Sequence, residues 1–268
     1  MKHIKYTFLS VCCLLAVNIA TAQFSVYGSA GISGLKYNPE GGTSSTGSGF
    51  GGGISYFRSM SRSWEIGLAA EMATYSSKAS FGTLSERYEH GTGENKSRIS
   101  YSLKGYEEKQ NITALSIPLI LRYHYYATRR TLLYLSGGVK LGLPVSTQAS
   151  INPGTVDASG EYEYEGQTYT NLPQHGFPEG MKLPETKSKI DLGYSVAATL
   201  EAGMLFKRLY IGLFLDYGLN DMRKTKDRHA LEYQEQNSST FVYNSILNTG
   251  LVDKINLFST GLKIGIRF

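Results

Sequence analysis

The sequence predicts an all-β protein, an eight-stranded antiparallel up-and-down transmembrane β-barrel with long extracellular loops. Three observations carry this. Apolar residues recur with a period of two opposite a face of glycine, serine and isolated charge. Long and short connections alternate strictly. The N-terminus has the layout of a secretory signal.

The period is clearest at the end of the chain. In 209–220, Leu209, Ile211, Leu213, Leu215, Tyr217 and Leu219 alternate with Tyr210, Gly212, Phe214, Asp216, Gly218 and Asn220; in 256–268, Phe258, Leu262, Ile264, Ile266 and Phe268 alternate with Ser259, Gly261, Lys263, Gly265 and Arg267. A period of two means a strand with two faces. One face is greasy. The other cannot build an ordinary core, and lipid outside a small polar interior explains both.

Six earlier segments repeat the pattern. Strands are expected at 24–33, 50–57, 64–73, 114–125, 133–143 and 190–204. Pro118 sits within the fourth and predicts a bulge or a missing ladder bond. Polar connections at 38–48, 76–110, 146–188 and 221–255 are expected as the long loops. Short turns are expected at 58–63, 127–130 and 207–208. Ile99, Tyr101 and Leu103 still alternate, so parts of the loops are expected to continue as hairpins above the membrane. Tyr56, Trp64, Tyr123, Tyr125, Phe206 and Phe268 fall beside the turns, and Phe50, Tyr194, Tyr217 and Phe258 lie toward the loops, which suits two interfacial girdles.

At the start, Lys2 and Lys5 precede an apolar stretch that ends in Ala20-Thr21-Ala22, so residues 1–22 read as a cleaved signal peptide and 23–268 as the barrel domain. The stretch is shorter than the ~20 residues of a helical span. Cys12 and Cys13 are the chain's two cysteines, and both fall inside this segment, which leaves the barrel domain no disulfide or cysteine metal site. Without Lys2 and Lys5, 25 cations face 22 acids, a net charge of +3. That is too weak an excess for a nucleic-acid surface.

The inward parity carries Glu71, Arg122, Lys140, Glu201, Asp216 and Lys263 as an interior polar network, with Glu65, His124 and Arg267 nearer the turns. In so narrow a space these charges must pair. The expected neighbours are Lys140 with Glu201, Asp216 with Lys263, and Arg122 with Glu71, forming a plug rather than a pore. Catalysis finds little support. Asp227 and His229 are two apart in the last loop, but no esterase elbow, zinc helix or phosphate loop appears. No enzyme, cofactor or metal is expected. Tyr88, Tyr101, Tyr106, Tyr162, Tyr164, Tyr169, Tyr233 and Tyr243 give the loops amphipathic rings suited to a protein or glycan surface. Outward Gly28, Gly52 and Gly137 are candidates for a docking seam.

The signal ending Ala20-Thr21-Ala22-Gln23 and the terminal pattern Ser259, Gly261, Ile264, Ile266 and Phe268 resemble the outer membrane protein β-barrel domain family, the small porin-family barrels of the Gram-negative cell envelope that include PorT-like proteins. Ile264 and Ile266 stand where aromatics are commoner in that ending. The resemblance implies outer-membrane localisation and assembly through periplasmic chaperones. Gly261, Ile264, Ile266 and Phe268 would then be the signal read by the barrel-assembly machinery. Members range from structural barrels to a secretion accessory. The expected partners are outer-membrane lipid, that machinery, and an envelope protein or an extracellular protein or glycan.

Overall fold

The computed structural model describes residues 22–90, 97–128, 131–164, 167–170, 179–234 and 240–268. The expected signal peptide therefore lies outside the described residues, apart from Ala22.

Eight of the strands close a ring: β1 (Ala22–Lys36), β2 (Ser48–Ser59), β3 (Trp64–His90), β4 (Ser97–Tyr126), β5 (Thr131–Asn152), β6 (Ser195–Phe206), β7 (Leu209–Gly218) and β8 (Asn256–Arg267). Each pairs antiparallel with its neighbour in the chain, and β8 returns to β1 in the register Ser25↔Arg267 to Lys36↔Asn256. Closure leaves no free sheet edge around the wall.

The outer face is apolar on all eight strands. Val26, Ile54, Leu68, Ile117, Leu141, Leu200, Leu213 and Ile264 stand exposed there, one from each strand, and Leu213 is 66 % exposed. A soluble monomer rarely exposes more than a few hundred Å² of contiguous apolar surface. A belt that runs round the whole wall needs hydrocarbon against it. The fold is thus an eight-stranded antiparallel up-and-down transmembrane β-barrel.

Pro118 interrupts one ladder without shifting it. The β3–β4 pairing steps from Leu68↔Leu119 to Glu71↔Ser116, omitting Pro118 and Ile117. The bulge lies higher, where Thr113 faces Ser146 and Ala114 faces Pro144, so Val145 is the extra residue.

The hairpin expected above the membrane from the alternation of Ile99, Tyr101 and Leu103 is present and takes up the described part of 76–110, while the assignments of 146–188 and of the start of the sixth strand need correction. Strands β3 and β4 run on through 76–110 to His90 and from Ser97, so at roughly 3.3 Å per residue each adds about 50 Å of length, measured along the tilted strand, beyond the belt. The segment 146–188 continues β5 to Asn152, and then supplies Thr155–Tyr164, which pairs with Ser97–Lys104, and Thr186–Lys189, which pairs with β5. Strand β6 begins at Ser195, not at residue 190, because Ile190 and Leu192 turn into a buried core above the belt.

That core changes the picture of the loop end. Buried parity in the long hairpin is odd through Phe81 in β3 and even through Tyr106 in β4, then switches to Leu84 and to Leu103. The ladder skips Gly82 and Gly105 at that point, and Gly105 has a positive φ of 73°. Only glycine adopts that backbone cheaply. Beyond it the opposite face of the hairpin turns inward. The last connection, 221–255, fills the space beneath: Met222, Ala230, Leu231, Ile246, Leu247, Val252 and Ile255 are all buried. They pack with Tyr75, Phe81, Tyr101, Leu103, Tyr106 and Ile151 from the wall. A segment expected as an exposed polar loop thus packs, in its described part, as a stopper into the loop end of the barrel.

Candidate functional site

The lumen is the candidate site, and buried side chains occupy it at two levels. At the level of the belt, Glu65, Glu71, Glu201 and Asp216 are buried together with Arg122, Lys140, Lys263 and Arg267. The opposed charges are equal in number, as a space without bulk water requires.

The pairing differs from the expected one at every position. Lys140 Nζ lies 2.8 Å from Glu71 Oε1 and 2.5 Å from Asp216 Oδ2. Lys263 Nζ donates to Glu201 Oε2 at 2.8 Å. Arg122 approaches Glu201 Oε1 at 3.9 Å, and its Nε donates to Ser136 Oγ at 2.9 Å. Its guanidinium lies over the rings of Phe57 and Tyr134, 3.9 and 4.5 Å from their centroids. At the turn end, Arg267 donates to Glu65, and His124 Nε2 stands 2.8 Å from Glu65 Oε2.

Tyrosines complete the stack. Tyr27 Oη donates to Glu71 Oε2 at 3.0 Å and Tyr134 Oη to Glu201 Oε1 at 2.7 Å. The inward glycines make room for these rings. A Cβ on Gly53 would meet Tyr27 Oη at 2.8 Å, and one on Gly212 would meet Tyr134 Oη at 2.4 Å. Gly67 gives the same space to Phe57, and Gly265 to Tyr210. Glycine and tyrosine on facing strands are therefore one packing device.

The upper storey turns on Glu108, which is fully buried beyond the belt. Ser245 Oγ donates to its Oε1 at 2.5 Å, and the backbone N of Ile246 donates to its Oε2 at 3.0 Å. Tyr106 Oη and Gln110 Nε2 donate from its own strand at 2.6 and 3.0 Å. Glu108 thus holds the short 3₁₀ turn Ile246–Asn248 in the mouth. Burial pushes its carboxyl above the usual range, against the pull of these donors. Burial likewise raises the phenols of Tyr37 and Tyr106. A second clasp joins Glu86 to the backbone N of Ala230 at 3.0 Å and to Tyr101, whose hydroxyl also accepts from Leu231 N at 3.1 Å. Sequence reasoning passed over Glu108 and Glu86; their signal was an acid spaced evenly among inward apolar residues, in a stretch assigned to a loop.

The remaining candidates fall as follows. His229 stacks on Tyr88 at 4.1 Å and faces Glu86 at 3.7 Å, while Asp227 is exposed, so the two form no acid–histidine pair. Tyr101 and Tyr106 are buried in the core instead of lying on the surface. The side chains of Tyr162, Tyr164, Tyr169 and Tyr233 lie outside the described residues. Gly28 and Gly52 face one another across β1 and β2, whereas Gly137 is on β5, on the far wall, so the three make no common seam. Ile264, Ile266 and Phe268 are on the outer face, and Gly261 opposes Gly31 where neither strand has space for a Cβ.

No family model matches the chain, and no curated protein matches it. Similar solved structures include the N-terminal β-barrel domain of Pseudomonas aeruginosa OprF, at 10 % identity and a TM-score of 0.31 over 92 % of this chain and 98 % of that one. They also include the attachment invasion locus protein Ail of Yersinia pestis, at 12 % identity and a TM-score of 0.30 over 92 % of this chain and 99 % of that one. A third is Ail in complex with the heparin analogue sucrose octasulfate, at 11 % identity and a TM-score of 0.30 over the same shares.

Two outcomes follow from the two storeys. Lys140→Met strands Glu71 and Asp216, so its cost is set at about 3–5 kcal/mol in urea unfolding from micelles. Lys78→Met, which removes an exposed pair with Glu107 at 2.9 Å, is set at under about 1 kcal/mol in the same assay. For Glu108, the proton is held more tightly with the stopper seated than with it released. The seat is therefore firmest below the ordinary carboxylate range and weakens as pH rises through the raised value. The urea midpoint for release, followed by a fluorophore at Lys226→Cys, falls with rising pH in the native protein and loses that dependence in Glu108→Gln; a midpoint that rises with pH contradicts the assignment.

Proposed function

We propose that this chain is an outer-membrane barrel with no open pore, acting through the folded body at its loop end as a structural or surface-interaction protein. The barrel inserts with its turns in the periplasm and the long hairpin outside the cell, the usual orientation of bacterial barrels. The observation that carries this reading is the seated connection 221–255, which gives the exposed end a packed core in place of mobile loops.

A rigid body of this kind suits recognition, because little entropy is lost when a partner binds. Its outer surface carries mixed, solvent-facing charge, with Lys78 beside Glu107, Lys104 beside Asp157 and Arg87 beside Glu161. Pairs so exposed add little stability and leave their charge available to a partner. An extracellular protein or glycan is the partner proposed. Chemistry at the Asp227–His229 segment has no geometric support.

Two measurements test the proposal. The refolded protein in planar bilayers gives no large steady conductance; an open pore overturns the closed lumen. Replacing 76–110 by a short turn abolishes adhesion of expressing cells to matrix proteins and glycosaminoglycans, while the barrel still shows its heat-dependent shift in gel mobility. Adhesion unchanged by that replacement contradicts the interaction role.

A further inference from the structure

The turn end carries a feature that neither closing the lumen nor binding at the loop end requires. A cavity of about 370 Å³ opens there beneath the polar stack. Its wall includes Arg62, Lys207, Arg208 and Arg267, with Glu65 as its one acidic side chain among the described residues. Arg267 is already joined to Glu65. Arg62, Lys207 and Arg208 sit exposed at the rim with no carboxylate partner among the described residues; Arg62 lies over the ring of Tyr126 and Lys207 over that of Phe206. The three short turns as a whole hold Arg58, Arg62, Arg129, Arg130, Lys207 and Arg208 without an Asp or Glu.

The floor is independent of the rim. His124 is 4 % exposed and lines the cavity; its Nε2 lies 2.8 Å from Glu65 Oε2, while its Nδ1 has no hydrogen-bond partner among the described residues. Gln23 Oε1 is also buried on this wall without a partner. His124 Nδ1 and Gln23 Oε1 are thus the two buried side-chain atoms of this wall with neither a hydrogen bond nor an ion-pair contact among the described residues. Orphaned polar atoms in a native structure ask for an occupant. Cations at the rim with mixed donors and acceptors behind them fit a ligand that is anionic at one end and donates hydrogen bonds at the other.

We infer that this vestibule is a binding site for a phosphate ester bearing hydroxyl or amine groups, either the headgroup of a phospholipid of the adjoining leaflet or a soluble polyol phosphate. The phosphate meets Arg62, Lys207 and Arg208, and the hydroxyls or amine reach Gln23 and His124. The rim stands where β2, β3, β6 and β7 leave the apolar belt, and each Lys or Arg beside an anionic lipid surface strengthens the attraction.

The test uses the whole barrel and the variant Arg62→Ala/Lys207→Asn/Arg208→Ala. Asparagine is chosen because Lys207 has a positive φ of 55°, which asparagine tolerates. Glycerol 3-phosphate is titrated by calorimetry in detergent, and nanodiscs containing phosphatidylglycerol or only phosphatidylcholine are compared by native mass spectrometry. Saturable binding of glycerol 3-phosphate, weakened at least tenfold in the variant, supports a soluble ligand. Retention of phosphatidylglycerol over phosphatidylcholine, lost in the variant, supports a lipid headgroup. Under either supporting outcome, the ring ¹⁵N signals of His124 in the native protein shift on binding, and this readout does not depend on the variant folding. Absence of saturable binding in both arms, binding by the variant equal to native, or a bound ligand that leaves His124 unmoved overturns the site. None of these results bears on the closed lumen or the loop-end surface.

Discussion

The lumen is too narrow for a water column, so every polar group that points inward must find its partner in the wall. The structure follows from this constraint. Lys140 is shared by Glu71 and Asp216, Lys263 and Arg122 meet at Glu201, and Arg267 meets Glu65. These contacts join strands far apart in the chain: Glu71 is on β3, Lys140 on β5 and Asp216 on β7. A slip of one residue in any of these strands would turn its charge into lipid. The stack thus selects the register of the ring as well as closing it, while the inward glycines let the tyrosines reach across.

Above the belt the constraint changes. The wall continues with a polar outer face, and the space inside it is filled by chain. The connection 221–255 supplies that chain, and its irregular backbone brings polar groups that the wall must satisfy. Glu108 takes the backbone N of Ile246 and Glu86 that of Ala230, and in return Asn248 Oδ1 of the connection accepts from the backbone N of Asp191 at 2.9 Å. Two acids in a hydrophobic core are thereby explained as acceptors for the stopper. One molecule carries a salt-bridged core at one level and a hydrophobic core at the next.

Parity made the barrel legible in the sequence. Alternation separated lipid-facing residues from luminal ones on all eight strands and placed Glu71, Arg122, Lys140, Glu201, Asp216 and Lys263 together inside. Parity gives the face of a residue and not its height. Strands in a barrel are tilted and staggered, so the pairs read from heights counted along the chain were wrong for Lys140, Lys263 and Arg122 alike. The upper wall was read only in part, from the alternation of Ile99, Tyr101 and Leu103: without lipid its outer face is polar, and the switch at Gly82 and Gly105 breaks the period that would have marked Phe81, Leu84, Leu103 and Tyr106 as one inner surface. The stopper had no period at all, because tertiary contact alone decides which of its residues are buried.

The central claim is that alternate residues of the wall touch hydrocarbon while those between them are sealed inside. Nitroxide scanning along β7 in lipid vesicles tests it directly. At Ile211, Leu213, Leu215 and Tyr217 the account predicts high accessibility to oxygen and low accessibility to a water-soluble nickel chelate, and at Gly212, Phe214 and Asp216 low accessibility to both. Chelate access at the first set would place those side chains in water, and chelate access at the second would place water in the lumen; either result contradicts the account.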